Sequence, residues 1–273
     1  MDMKWNWDPL MLGLLVIPSV VYFVGLVQQK NRQGGLRNSQ TWRAAAFGAG
    51  ILILFVALIS PIDTLNDQLF SIHMVQHILL IDFAPALLAF SAPLGGVLSA
   101  FPHPFQVTLG RWWARQGNIF KILWHWLSQP LIAWGLSVGF LWLWHIPGLY
   151  TLAVENEGIH ALEHFCFLGS GLLLWWNIFF TFWRKPARRA SGIFYMALYG
   201  LQSSGLGWLL MLSGTVWYPI YESTSKVFGL TPIADQQAAG AIMWVPETLI
   251  YMLGALIMLK GWLDSLENNE ENR

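Results

Sequence analysis

Two pairs of histidines are the residues of this 273-residue chain best suited to chemistry. His73 and His77 enclose Met-Val-Gln, and His160 and His164 enclose Ala-Leu-Glu, so that both pairs follow the pattern H-x-x-[QE]-H. Residues four apart share one face of an α-helix, about 40° apart around its axis. Each pair can therefore offer two imidazole nitrogens to one cation, and imidazole suits copper, zinc and iron.

The composition indicates that these histidines lie in a membrane protein. Apolar residues make up 55% of the chain and charged residues 11%, where a soluble domain carries about 25% charge. The mean hydropathy is +0.49. Seventeen Trp and seventeen Phe suit a partner that is a lipid bilayer. A net charge of zero and a single Cys exclude nucleic acid as a partner and exclude a disulfide framework.

Seven apolar stretches are long enough to cross a bilayer as helices, which takes about 20 residues each. They cover residues 9–27, 42–60, 69–90, 129–146, 158–182, 191–213 and 237–259. Strands are excluded because their backbone amides would stay unpaired in lipid. The predicted fold is all-α, with one seven-helix membrane domain over residues 1–263 and a short polar cytoplasmic tail over residues 264–273.

Two segments need separate interpretation. The first apolar stretch follows two Asp residues and precedes no small-residue cleavage site, so that we interpret it as a retained span.

Residues 91–128 begin with an apolar stretch that is too short to span and is interrupted by Pro102 and Pro104. An interfacial cytoplasmic segment is our prediction there, with a re-entrant loop as the alternative.

The orientation follows from the distribution of Lys and Arg. Thirteen of these fifteen residues fall after odd-numbered spans, and the two exceptions are Lys4 and Lys226. Basic loops stay in the cytoplasm. We therefore predict that the N-terminus lies outside and the C-terminus lies in the cytoplasm.

This topology places five histidines at one depth in the outer leaflet. His73 and His77 begin the third span, His160 and His164 begin the fifth, and His145 ends the fourth. Ionisable groups inside spans usually face the bundle interior and mark function. We predict that the five histidines form one metal site, with His145 at its rim. The alternative is that each imidazole bonds a neighbouring carbonyl or caps a helix.

Five neighbours of the histidines are further candidates. Gln76 and Glu163 each precede the second histidine of a pair and could orient an imidazole by hydrogen bonding. Met74 and Met243 lie at a suitable depth, and thioether sulfur favours Cu(I). Asp235, at the head of the seventh span, completes this set.

Two carboxyl groups near the middle of the membrane receive no role from the sequence. Asp82 lies about 180° from His73 and about 140° from His77 around the third span, and so falls outside their site. Glu247 in the seventh span poses the same question. A carboxylate at this depth is costly unless it is protonated or paired.

Several motifs resemble the polytopic CtaG family, the assembly factors of caa3-type cytochrome c oxidases. The resemblance runs from about residue 60 to residue 255 and rests on these motifs: SIHMVQHILL from Ser71, Ala84-Pro85, Trp144-His145-Ile146-Pro147, His160 with Glu163-His164, Trp175-Trp176, Tyr218-Pro219 and DQQAAGAIMWVP from Asp235. It implies a seven-helix protein of the bacterial cytoplasmic (inner) membrane that supports oxidase biogenesis through copper.

The predicted function is that of a non-enzymatic assembly factor. It would bind copper at the outer-leaflet histidines and support its delivery to a cytochrome c oxidase subunit, with periplasmic or other extracytoplasmic copper chaperones as further candidate partners. Two alternatives stay open. Two histidines on facing helices could ligate haem, as in a membrane cytochrome. The segment His160–His164 also matches H-x-x-E-H, a pattern of metal-dependent hydrolases. Zinc stays open beside copper and haem.

Overall fold

The computed structural model describes residues 4–115 and 117–271, with side chains as far as residue 267. Within these ranges every regular element is a helix. Seven helices are long: α1 (Pro9–Gln33), α2 (Asn38–Leu58), α3 (Phe70–Ser91), α4 (Pro130–Trp144), α5 (Glu157–Trp183), α6 (Arg189–Leu212) and α7 (Pro232–Glu271). Each predicted span coincides with one of them, and the predicted polar tail continues α7 as far as Glu271.

The long helices differ in how well they suit a bilayer. Five of those described, α1, α2, α3, α5 and α7, are long and apolar enough to span it. The helix Ile119–Leu127 and α4 together make a sixth candidate, bent by 72°. Gln202, Ser203 and Ser204 lower the hydropathy of α6 below that of the others. The chain is an all-helical, multi-pass membrane protein, while the count of seven spans and the orientation stay predictions.

The segment between α3 and α4 forms three short helices, Leu94–Ser99, His103–Ala114 and Ile119–Leu127. The last two bury no side chain. Ile119–Leu127 exposes Phe120 and Trp126 beside Lys121, a composition that suits the boundary between headgroups and acyl chains. Both the interfacial segment and the re-entrant loop are compatible with this arrangement.

A close contact between α3 and α5 lies just beyond the histidines. A Cβ atom on Gly171 of α5 would collide with the carbonyl oxygen of Ile81 on α3, so that the two backbones can meet only at glycine. Ile81 belongs to a π-helical turn, Leu79–Phe83, which begins two residues after His77. Such turns are frequent at functional sites. This contact fixes the distance between the two helices that carry the histidine pairs.

A second close contact joins α6 to α7. A Cβ atom on Gly207 would lie 2.9 Å from the carbonyl oxygen of Gly240. Glycine at this point lets the backbones pack directly against each other. The contact sets the position of α7, whose first turn reaches the beginning of α3 through Asp235.

Asp235 caps α3 from the neighbouring helix. Its two carboxylate oxygens accept hydrogen bonds from the backbone N–H groups of Phe70, at 2.8 Å, and Ser71, at 3.1 Å. The first N–H groups of a helix have no partner within the helix, and they attract negative charge. The buried cap fixes the start of α3 and thereby the position of His73 one turn later.

Candidate metal centre

The five histidines form one continuous cluster inside the bundle. Ring centroids lie 4.3 Å apart for His73 and His77 on α3, and 4.1 Å apart for His160 and His164 on α5. Between the helices, His73 lies 5.1 Å from His160, and His77 lies 6.1 Å from His164. His145 lies 5.8 Å from His77 on the far side of the cluster. The rings thus run from His160, which is half-buried, to His145, which is buried.

Glu163 lies within this cluster. Its Oε1 is 3.5 Å from Nε2 of His77, and its Oε2 is 3.8 Å from Nε2 of His73. The side chain is fully buried. The sequence suggested Glu163 as a residue that orients an imidazole, and in the structure its carboxylate faces two imidazoles of the neighbouring helix at ion-pairing distance.

Several polar atoms of the cluster are buried and have no hydrogen-bond partner. They are Nε2 of His73, both ring nitrogens of His77, Nε2 of His160, Nε2 of His164 and both carboxylate oxygens of Glu163. Leaving a buried polar group unpaired costs about 1–3 kcal/mol, and more for a charged one. Ligand atoms of His73, His160 and Glu163 all lie within 4.8 Å of one another. Protons or a cation among these atoms would satisfy them.

His145 and Met74 form a separate part of the cluster. The carbonyl oxygen of Leu141 lies 2.7 Å from Nδ1 of His145 and can only accept a hydrogen bond, so that Nδ1 carries the proton. In a neutral ring, Nε2 then carries a free lone pair. The Nε2 atom lies 3.4 Å from Sδ of Met74. Tyr218 fixes the same segment by donating its hydroxyl to the His145 carbonyl at 2.7 Å.

Tyr150 and Tyr221 pack next to His73. The hydroxyl of Tyr221 donates to the carbonyl oxygen of Asn66 at 3.1 Å and lies 2.8 Å from the hydroxyl of Tyr150. It also lies 3.3 Å from Nδ1 of His73. With its one proton given to Asn66, Tyr221 accepts from Nδ1, which leaves Nε2 of His73 as a lone pair facing Glu163.

Sequence reasoning gave no role to Tyr150, Tyr218 or Tyr221. The available signal was their position in outer connections at the level of the histidines, close to Pro147 and Pro219. The loops place all three against the cluster, and burial raises the pKa of the Tyr221 hydroxyl, which keeps it protonated.

The remaining candidates lie around the cluster. The amide of Gln76 bonds Asn66, Ala57 and Asp63 at 2.6–2.8 Å, and thereby ties α2 to α3. Met243 is buried in the same apolar cluster as Met74. Asp235 uses both carboxylate oxygens in the cap described above.

The two mid-membrane carboxyl groups form a separate buried pair. Asp82 on α3 and Glu247 on α7 are within hydrogen-bonding reach of each other. The hydroxyl of Tyr251 donates to Asp82, and the hydroxyl of Ser203 donates to Glu247. Two carboxylates buried side by side repel each other, so that a proton shared between them would join the pair.

A helical membrane protein with a buried histidine cluster is the class that this fold and site define. Within that class, the chain belongs to the family of cytochrome c oxidase caa3 assembly factors, whose family model matches residues 20–265. The resemblance drawn from the sequence motifs is thereby confirmed.

Curated relatives come from mycobacteria. The chain is 23% identical to an uncharacterised protein of Mycobacterium leprae and to uncharacterised proteins of Mycobacterium bovis and Mycobacterium tuberculosis. Each alignment covers 94% of this chain and 39% of the relative, so that the chain spans about two fifths of their length. No solved structure matches the chain.

Proposed function

We propose that this protein binds a copper ion at the histidine cluster as cargo and supports its delivery to a cytochrome c oxidase subunit. The setting is the bacterial cytoplasmic (inner) membrane, with extracytoplasmic copper chaperones as the source of the ion. Membership of an oxidase assembly family supports the destination. The unpaired nitrogen and oxygen atoms of the cluster support a cation.

The observation that carries this proposal is the pair formed by Nε2 of His145 and Sδ of Met74, 3.4 Å apart. Neither atom has a proton to donate when the ring is neutral, so that their contact is that of two lone pairs. Two ligands about 2.0 and 2.3 Å from one metal, at a tetrahedral angle, would lie about 3.5 Å apart. A thioether sulfur is a ligand for Cu(I). It accepts a hydrogen bond only weakly, so that a proton on Nε2 would stabilise this pair less than a metal ion would.

The two alternative functions have weaker support. A porphyrin between imidazoles of α3 and α5 would have to enter a cluster in which ligand atoms of His73, His160 and Glu163 already lie within 4.8 Å of one another. In a hydrolase, Glu163 should be free to activate water at a metal. Instead, its carboxylate faces His73 and His77 in a fully buried position. This arrangement favours a ligand or counter-ion over a base.

We expect Met74→Leu to change which metal is bound. Leucine keeps nearly the same volume and removes the sulfur, so that the affinity for Cu(I) should fall about tenfold or more while the affinity for Zn²⁺ stays unchanged. Met258→Leu is the matched control, because Met258 is equally buried in the other core cluster. Competition titrations of purified protein with Cu(I) and Zn²⁺ would measure both affinities. Equal losses for the two metals would contradict a sulfur ligand.

Delivery predicts a dependence on copper supply in cells. A carrier raises the local concentration of metal at the acceptor without changing the affinity of the acceptor, so that abundant copper should partly replace it. Deleting the gene should therefore impair oxidase activity most when copper is scarce, and added copper should restore part of it. Oxidase activity of membranes across a copper series measures this effect. Complete insensitivity to copper, together with purified protein free of metal, would overturn the proposal.

A further inference from the structure

A cavity of about 940 Å³ opens beside the histidine cluster, at the end of the bundle where α3 and α5 begin. The described residues that line it include four carboxyl groups and two of the histidines, namely Asp8, Asp63, Asp67, Glu157, His160 and His164. Lys4 is the cation in this lining. An excess of carboxylates in a concave site attracts cations and raises their local concentration.

His160 and His164 connect this cavity to the buried cluster. His164 is 9% exposed, lines the cavity and has an Nε2 without a hydrogen-bond partner. His160 is half-buried, lines the cavity, and its ring lies 5.1 Å from that of the fully buried His73. A cation in the cavity would therefore meet these two imidazoles before it meets His73, His77 or Glu163.

The four carboxyl groups of the cavity do not have the same role. Asp8 caps α1 by accepting from the backbone N–H of Leu10 at 2.9 Å. Asp63 accepts from the side chains of Asn6 and Gln76 and thereby holds the N-terminal segment over the cavity.

Asp67 and Glu157 are exposed at the mouth. The cavity walls shield Asp67 from part of the surrounding water, which raises its pKa. His73 lowers this pKa, and the nearby charges of Asp63 and Glu157 raise it. Both carboxylates line the same cavity, so that an arriving cation is attracted by both.

We infer that this acidic cavity is an admission port for a hydrated metal cation, in which Asp67 and Glu157 attract the ion and His160 and His164 receive it. The inference rests on the proposed function, because it supplies the route to the site proposed there. The port accelerates loading, whereas the affinity is set by the buried ligands.

The test compares loading rates of the purified full chain in an uncharged detergent. Cu(I) alone, kept reduced under anaerobic conditions, is the probe. It is mixed rapidly with protein while tryptophan fluorescence is followed, since Trp5 and Trp7 line the cavity. Bound copper is then measured by elemental analysis after desalting. The variant Asp67→Asn/Glu157→Gln is compared with Glu155→Gln/Glu222→Gln, which removes the same charge from exposed positions outside the cavity lining.

At an ionic strength of about 0.01 M, we expect Asp67→Asn/Glu157→Gln to load about tenfold more slowly than the unaltered protein, with the same final copper content. The difference should vanish near 1 M salt, where charges are screened within about 3 Å. The control should load at the rate of the unaltered protein.

The outcomes separate the port from the proposed function. Unaltered protein that retains no copper overturns both. Equal loading rates at low salt with normal copper content overturn the port alone. A lower final copper content in Asp67→Asn/Glu157→Gln would show that these carboxylates are ligands. Equal slowing in the control would show that the effect comes from surface charge in general. Either result overturns the port.

Discussion

His77→Ala should abolish stable metal binding and lower oxidase maturation to the level of a gene deletion. The ring of His77 is adjacent to those of His73, His145 and His164, and its Nε2 lies 3.5 Å from Glu163. It therefore connects the two parts of the cluster. Removing a residue that only orients a ligand costs about 10–100-fold in metal affinity, so that loss of a ligand should exceed about 100-fold. Elemental analysis and oxidase activity measure the two effects.

Three further variants make this result interpretable. His125→Ala removes an exposed histidine from the helix Ile119–Leu127 and should leave metal content and oxidase activity unchanged. His164→Ala should behave as His77→Ala does. Glu163→Gln keeps an oxygen at the centre of the cluster and should cost about 10–100-fold in affinity. Full metal content in both His77→Ala and His164→Ala, with normal membrane insertion, would show that the cluster serves only the packing of the bundle.

The helices and the grouping of the histidines could be predicted because they depend on local patterns. Apolar runs fix the helices, and a spacing of four puts His73 beside His77 and His160 beside His164 whatever the tertiary structure. A shared depth, read from the distribution of basic residues, then suggests that His145 joins them. None of these inferences requires knowing how one helix is rotated about its axis relative to another.

The contacts that give the cluster its chemistry do depend on helix rotation. Glu163 points at His73 and His77 because α3 and α5 meet at Gly171, and Met74 reaches His145 because α4 ends beside α3. The sequence contains no signal for either distance. Asp235, which the sequence suggested as a candidate near the metal, turned out to cap α3, a contact between residues 165 positions apart.

Asp82 shows why angles between side chains, calculated for a regular α-helix, hold only while the helix stays regular. Beyond Ile78, α3 enters the π-helical turn Leu79–Phe83, in which each residue turns by less than the 100° of an α-helix. Angles counted from His77 to Asp82 on a regular helix therefore do not hold. The partner of Asp82 could not be predicted either, because Glu247 lies on α7, far along the chain.

Asp82→Ala should be among the most destabilising single changes in the membrane interior. It leaves the hydroxyl of Tyr251 and the carboxyl group of Glu247 buried without their present partner. Each orphaned group costs about 1–3 kcal/mol, so that the free energy of unfolding should fall by roughly 2–6 kcal/mol. Thermal unfolding of detergent-purified protein measures the loss, and Glu267→Ala, at an exposed position, should lie within about 0.5 kcal/mol of the unaltered protein.

Glu247→Gln tests whether a shared proton is the bond within this pair. The amide oxygen can still accept from Ser203, and the amide N–H₂ can donate permanently to Asp82, so that this variant should unfold within about 1 kcal/mol of the unaltered protein. Copper content per folded molecule should stay normal in both variants, since the pair lies outside the histidine cluster. A loss in Glu247→Gln as large as that in Asp82→Ala would contradict a shared proton as the bond within the pair, because the amide N–H₂ would then have failed to replace it.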